Sequence, residues 1–579
     1  MRKLHLILAT VCITAPYLLA EQNHYFASNV TGILTVSATV NLQQLAQQVQ
    51  TSVVGTQGPE VKPYWHGTLA PPVTPILGAF AGPSVHGLPV GNSSSMAFNA
   101  LSHADQRLAN NGNQFSTEPA TPGIAVANGY VLEGVDNAVM VYSTSGVPLL
   151  PQAVSSNQLF NVPVQINRNT GFNGVYPTDM RVFYDKDVDR FFVLEWSQAN
   201  DAFGNPLQSS TEWIAVSQTG DPTGNYTVYS MNTTNAGHSG CPCFPDYPQV
   251  GADQYGIYIS SNEFNTFSQS FVDATILAIN KAAFGANPPP GPPTAVMFTM
   301  ARITGYEFSI KPAVTPPGGS YYTANGGIEY FVSTISSISA GSSLAVWALS
   351  NTSSLATFIP SLVLTQTSVG TEAYVSPGNI ATQRPGTLVL GPTLGAGLSL
   401  LDGGDQRLQS LTYAGGRLYA TTATQAVDEQ GIRVVAGAYF ILSPVYRSGT
   451  LAAGVLRQGY VAVTHNNVLR SCITVNAQGN GAINFTLVGP DYYPSSAFVP
   501  ISTFSTGSTV LMSGPGVGPE DGFTGYPGSV TYPVSRWGDT AVGTVAADGS
   551  IWMAAEYIPS TPPRTTSANW GTHVTQYKP

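Results

Sequence analysis

Asp185–Lys186–Asp187–Val188–Asp189–Arg190–Phe191–Phe192 reads as a polar turn running into a strand that opens on aromatics. The phrase returns as Asp253–Gln254–Tyr255–Gly256–Ile257–Tyr258, as Asn476–Ala477–Gln478–Gly479–Asn480–Gly481 and as Ala547–Asp548–Gly549–Ser550–Ile551–Trp552. Asp, Asn and Gly suit such turns because they tolerate left-handed backbone or bond to it through their side chains. Aromatic and β-branched residues suit the pleated surface that follows. One hairpin recurring along a chain means stacked or radially arrayed units.

Working outward, Ala125–Glu133 passes through Asp136–Asn137 into Ala138–Tyr142, and Gln409–Tyr413 crosses Gly415–Gly416 into Arg417–Thr422. From Pro122 on, short β-rich runs alternate with turn residues, and no stretch has the length and period of a long helix. An all-β chain of this length laid out as a double sheet would expose long edges, whereas a ring of blades hides most of them. Roughly 460 residues divided among four-stranded blades of about 60–65 predict a seven-bladed β-propeller, with six or eight blades allowed.

The N-terminus reads differently. Arg2 and Lys3, the apolar run Leu4–Leu19 and the small Ala20 predict a signal peptide over residues 1–20. Residues 21–100, rich in Pro, Gly, Gln and Ser, read as an irregular arm or linker carrying one helix near Leu42–Val53, and residues 101–579 as the propeller. Only 9% of the residues are charged, against roughly 25% in an ordinary globular chain. A net charge of −10, becoming −12 once Arg2 and Lys3 leave, offers no basic footprint for nucleic acid. No segment after the signal reads as transmembrane. With 43% hydrophobic residues the chain can still build a large core. So few titrating groups predict a fold that survives low pH, as in an acidic habitat.

Beyond the signal lie Cys241, Cys243 and Cys472. In an exported chain an odd number predicts one disulfide and one leftover thiol, with Cys472 pairing to Cys241 or Cys243. The alternative, a metal site from His238, Cys241 and Cys243, lacks a second ligand pair. Six Asn-x-Ser/Thr sequons, at Asn29, Asn92, Asn225, Asn232, Asn351 and Asn484, matter only in a host that glycosylates.

Asp548–Gly549–Ser550–Ile551–Trp552 is similar to the Asp-box of sialidase-like propellers. More broadly the chain resembles bacterial secreted sialidase-like propeller proteins of unassigned activity, over roughly residues 100–579. The matching segments are Asp105–Arg107 with Asn110–Pro119, Arg181–Phe192, Asp246–Phe264, Gly403–Arg407, Gly489–Tyr493, Arg536–Asp539 and Asn569–Thr572. The resemblance implies the fold and leaves the arm and the chemistry open. A sialidase needs three arginines converging on a carboxylate, a Tyr beside a Glu, and an acid. The candidates are Arg181, Arg407 and Arg536, with carboxylates Asp405, Asp539 and Glu263. The plainer reading is that Asp–Arg pairs fix hairpins through charge-assisted hydrogen bonds.

Asp185, Asp187 and Asp189 alternate like the first half of a calcium loop but lack its later Gly and bidentate Glu, so a polar turn is favoured over a calcium site. No other cofactor is expected. Trp537, Tyr492 and Tyr493 are candidate sugar platforms, although aromatics on blades more often pack between them. Nucleophile elbows and phosphate loops are absent. These readings predict a secreted propeller that binds an extracellular glycan or protein, with a glycoside hydrolase built on the arginines and carboxylates as the alternative.

Overall fold

The computed structural model describes residues 23–25, 31–48, 82–112, 119–164, 166–167, 172–175, 177–201, 205–235, 239–300, 305–335, 340–388, 398–520, 534–559 and 568–579. The signal segment and His238 lie outside them. Among the described residues no helix is long and apolar enough to cross a membrane.

Seven antiparallel sheets follow one another along the chain as the blades of a propeller. Blade I holds Pro122–Ala127, Tyr130–Val135, Ala138–Ser143 and Val154–Ser155. Blade II holds Pro177–Asp185, Arg190–Asn200, Pro206–Ser217 and Asn225–Asn232. Blade III holds Cys243–Ala252, Gly256–Asn265, Phe271–Asn280 and Thr294–Met300. Blade IV holds Lys311–Pro312, Ile328–Thr334, Ala340–Ser350 and Val363–Val375. Blade V holds Leu408–Ala414, Arg417–Val427, Arg433–Arg447 and Thr450–Val461. Blade VI holds Asn467–Val475, Asn480–Val488, Ser495–Ser502 and Val510–Gly514. Blade VII takes Val542–Val545, Ile551–Tyr557 and Gly571–Tyr577 from the C-terminus and Met96–Ser102 from the N-terminal side, which closes the ring.

The repeated turn phrase does the same work each time. Asp185 Oδ1 accepts from the Asp187 and Val188 N–H groups, and Asp253 Oδ1 from those of Tyr255 and Gly256. Asn476 Oδ1 accepts from Gln478 and Asn480, and Asp548 Oδ1 from Ser550. The side chain supplies an acceptor where the backbone has none free.

Residues 21–100 are more than a linker in their described parts, and a boundary at residue 101 cuts through Met96–Ser102. Asn23–Tyr25 adds a fifth strand to blade IV, Thr31–Ile33 to blade III and Thr35–Asn41 to blade II. The short helix Leu42–Gln47, capped by Asn41, then packs beside blade I, where Gln152 and Gln158 donate to the Ala46 and Leu45 carbonyls. Further on, Val85 bonds Val427 of blade V and Val90–Asn92 pairs in parallel with blade VI. The arm thus girdles the rim and covers outer sheet edges that would otherwise template pairing with other chains.

Between blades the core is aromatic and aliphatic. Trp196 of blade II stacks on Phe244 of blade III with centroids 4.9 Å apart, and Tyr258 of blade III meets Phe331 of blade IV edge-on. A second repeat lies on the second strands: Glu133, Glu195, Glu263, Glu329 and Glu556 are each buried. Glu133 accepts from Leu101 N–H and the Thr572 hydroxyl, Glu329 from Ala313 N–H and Glu556 from Gly538 N–H. These glutamates tie neighbouring segments together from within the sheets.

Candidate functional site

All inner strands enter the ring at one end, and four of them are bulged there, that of blade V at Leu408/Ser410. The register shifts at Thr178/Arg181, Asp246/Gln249 and Leu469/Cys472 surround non-glycine residues in left-handed backbone: Asp179 (φ 59°), Tyr247 (φ 54°) and Arg470 (φ 55°). Such a residue costs on the order of 1–3 kcal/mol and persists where the surroundings over-determine it. A bulge re-aims side chains. Here bulges from separate blades gather charged groups at one mouth.

A parallel pair outside the blades completes the gathering. Leu400–Leu401 lies beside Val534–Ser535, and Asp402 N–H donates to the Ser535 carbonyl. That pairing sets the Asp402–Arg407 segment next to Arg536–Asp539. Arg407 holds Asp405 through Nε at 2.8 and 3.0 Å and through Nη2 at 2.8 Å. Arg470 pairs with Asp402 at 3.2 Å while its Nε donates to the Trp537 carbonyl, and Arg536 pairs with Asp539 at 3.2 Å. Tyr247 lies against two guanidinium groups, Arg407 at 4.5 Å and Arg181 at 4.9 Å from its ring centroid. Arg181 is 6% exposed; Nη1 donates to the Met180 carbonyl, and Nε and Nη2 have no hydrogen-bond partner.

The electrostatics show that these groups share one site. Burial disfavours the charged form of Asp539, yet Arg536, Arg470, Arg407 and Arg181 together hold its carboxyl below the usual range. Asp405 is likewise kept low, against its burial, by Arg407 and then Arg470. Asp246 behaves oppositely: burial and the charge of Asp179 push it up to about 8 despite Arg407 and Arg536. Burial raises the Tyr247 phenol to about 12 although Arg181 and Arg407 favour its anion. The mouth therefore holds guanidinium groups backed by carboxylates, one carboxyl that keeps its proton near neutrality, and a neutral phenol. Arg407 and Arg536 retain 23% and 19% side-chain exposure, so the cluster is open to a ligand.

The sequence candidates Arg181, Arg407, Arg536, Asp405 and Asp539 thus come together. Glu263 does not reach the mouth surface: it lies one strand outward opposite Pro245, buried, where its charge raises the neighbouring Glu212 after burial itself. Trp537 is 1% exposed and packs in the core, so it offers no platform. Tyr492 and Tyr493 follow the second strand of blade VI; Tyr493 donates to the Pro385 carbonyl and carries Arg384 over its ring at 4.9 Å. Asp185, Asp187 and Asp189 sit at the opposite end of the blade II inner strand. Lys281 Nζ lies 2.9 Å from Asp185 and 2.6 Å from Asp187, and Asp189 accepts from Asn128 and Tyr184. A lysine takes the place a calcium ion would have held between the first two. No group of three metal-ligating side chains occurs among the described residues.

The cysteine expectation is corrected. Cys241 bonds Cys243, and Cys472 is a free, buried thiol. Cys472 lies on the inner strand of blade VI and the other two at the start of blade III, across the ring, so only the near neighbours can bond.

Arg470, Asp246 and Tyr247 were not singled out by sequence. Asp246 and Tyr247 stand in a matched segment without a functional signal, and Arg470 sits inside an apolar strand run where nothing marks it.

The fold and site define a seven-bladed propeller with an arginine–carboxylate mouth. No protein-family model matches the sequence, and no curated protein matches it. Among solved structures the chain is similar to a Hadza microbial sialidase (8% identity, 78% of this chain and 73% of that one, TM-score 0.31) and a Trypanosoma rangeli sialidase with the inhibitor DANA (8%, 70% and 55%, TM-score 0.30). It is also similar to an endo-1,5-alpha-L-arabinanase from Thermotoga petrophila (12%, 79% and 99%, TM-score 0.25). At such identities and scores these likenesses carry no argument; the blade count rests on the strand pairing.

Proposed function

We propose that this chain is an exported propeller that binds an acidic glycan at the mouth where the inner strands enter. The observation that supports it is that four arginines from four parts of the ring act on one carboxylate, Asp539, in a partly open site. Guanidinium groups fork to carboxylates, sulfates and phosphates with geometry that lysine lacks. Each mouth arginine also has a protein carboxylate or an aromatic face that pre-sets its position. An array of neutral and acidic oligosaccharides tests the reading: binding confined to acidic members and lost in Arg407→Ala and Arg536→Ala supports it, and equal binding of neutral members overturns it.

A second reading, glycoside hydrolysis, is favoured by Asp246, a carboxyl kept protonated near neutrality beside ionised Asp539, since acid–base hydrolysis needs two carboxyls with separated pKa values. Turnover of fluorogenic glycosides that disappears in Asp246→Asn selects it; turnover unchanged in that variant removes it.

A further inference from the structure

The channel inside the ring has a charge problem that the mouth does not solve. Two residues after each of four left-handed positions, Asp179, Tyr247, Ser309 and Arg470, the inner strands place Arg181, Gln249, Lys311 and Cys472. All four line one interior cavity of about 140 Å3, together with Gln409 and Ser410. A cavity needs roughly 10–15 Å3 of such volume to hold a first water, so this one has room for a small ion with solvent. Three of its lining residues are cations, Arg181, Lys186 and Lys311, and its carboxylate, Asp185, is already paired with Lys281 while Lys186 donates to the Pro316 carbonyl. Lys311 Nζ donates to Gln249 Oε1, a neutral acceptor, and forms no ion pair among the described residues. Arg181 feels Asp539 but makes no contact ion pair among the described residues, and Nε and Nη2, the side of the fork that grips an oxyanion, are unbonded. Cys472 is no counter-ion, because burial pushes its thiol up and keeps it neutral.

We propose that the channel binds a small monoanion, a halide or a formate-sized carboxylate, between Lys311 and Arg181. An enclosed cation without a counter-charge costs several kcal/mol, and the chain either sheds a proton or takes up an anion. Burial, and then repulsion from Arg181, draws Lys311 down to about 7, toward the first outcome. An anion lying between the two relieves both costs, and the Ser410, Gln249 and Gln409 side chains complete its shell with polar atoms. The inference shares Arg181 with the mouth, but Lys311 belongs to the channel and takes no part in the arginine–carboxylate set, so a Lys311 variant separates the two readings.

The test compares thermal unfolding of the full chain in chloride, bromide and formate with unfolding in gluconate at the same ionic strength, gluconate being too large for the channel. The proposal expects a saturable rise of a few degrees in the small anions, absent in gluconate and absent in Lys311→Met, while acidic-glycan binding at the mouth is retained. A bromide-soaked crystal of the unaltered protein should show an anomalous peak between Lys311 Nζ and the Arg181 guanidinium. Equal midpoints in chloride and gluconate, a rise that persists in Lys311→Met, or a channel holding water alone in the bromide crystal would each overturn it.

Discussion

Arg407 and Tyr247, from blades V and III, meet at the mouth with the guanidinium carbon 4.5 Å from the ring centroid, while the same guanidinium grips Asp405 from its other edge. The arginine is thus fixed on two sides by groups that sequence keeps far apart. A lysine at this position would keep the charge and lose both the fork and the stacking. Arg407→Lys should therefore weaken binding of an acidic oligosaccharide by about 10–100-fold, the worth of one charge-assisted bond pair. Calorimetric titration checks it, and an unchanged affinity would show that Arg407 is only structural.

Stability should peak in mild acid. Burial is the main cause that raises Glu133 and Asp246 to about 8, and that lifts Glu195, Glu212, Glu329 and Glu556 well above the ordinary carboxyl value. A carboxyl with a raised folded pKa contributes fully below its unfolded value and loses that contribution as pH climbs through the folded one. Asp405, Asp428, Asp539 and Asp548 are lowered and act in the opposite sense, their contribution vanishing only as pH falls below about 4. His573, drawn down to about 4 by burial, also weakens the fold below its unfolded value. The raised set is larger, so the unfolding midpoint should be highest near pH 4–5 and drop toward pH 8–9. Glu212, whose two oxygens have no donor, provides the control: Glu212→Gln should leave the acid midpoint intact and flatten the alkaline fall. A midpoint that climbs steadily from pH 4 to 8 would contradict this account.

Reduction should cost little. The Cys241–Cys243 bond spans a sequence separation of two, and chain-entropy reasoning gives so short a loop only about 1–2 kcal/mol. A Cys472 pairing across the ring would have been worth roughly 5 kcal/mol. Mild reductant is thus expected to lower the unfolding midpoint only slightly, and without reductant a thiol reagent should count one cysteine after denaturation and none before. Labelling of Cys241 or Cys243 in place of Cys472 when the tagged peptide is mapped, or a large midpoint loss, would point to another pairing.

Lys281 is buried with Asp185 at the end of the ring opposite the mouth. Breaking a buried ion pair leaves an uncompensated charge and typically costs 3–5 kcal/mol. Lys281→Met should destabilise by about that amount in denaturant titrations, and the double change Lys281→Met with Asp185→Asn should recover part of it. If the single variant matches the parent, the pair carries no weight.

Removing residues 1–102 deletes the closing strand of blade VII and the covering strands of blades II, III, IV and VI. Glu133 also loses its Leu101 donor. The truncated chain should aggregate on expression or elute as an expanded species in size-exclusion chromatography, whereas a monomer with the parent's melting curve would show that the girdle is dispensable.

Local chemistry made the ring readable. Asp185, Asp253, Asn476 and Asp548 each shape a turn within a few residues of themselves, so turn, strand and repeat could be read from the chain alone, while length allowed six to eight blades and the strand pairing fixed seven. The arm could not be read this way, because strands such as Thr35–Asn41 are defined by edges far along the chain rather than by their own periodicity. The site divides likewise. Arg407 with Asp405 and Arg536 with Asp539 are close in sequence and visible as pairs. Their convergence with Arg181, Arg470, Asp246 and Tyr247 depends on bulges in three inner strands and on Leu401 lying beside Ser535, which only ring closure creates. Sequence by itself determined the hairpin unit and the scarcity of charge, and it narrowed the ring to six, seven or eight blades. Tertiary structure decided where the few charges went, because desolvation inside the ring and at its mouth is what turns Asp246, Lys311 and the buried glutamates from ordinary side chains into groups with a task.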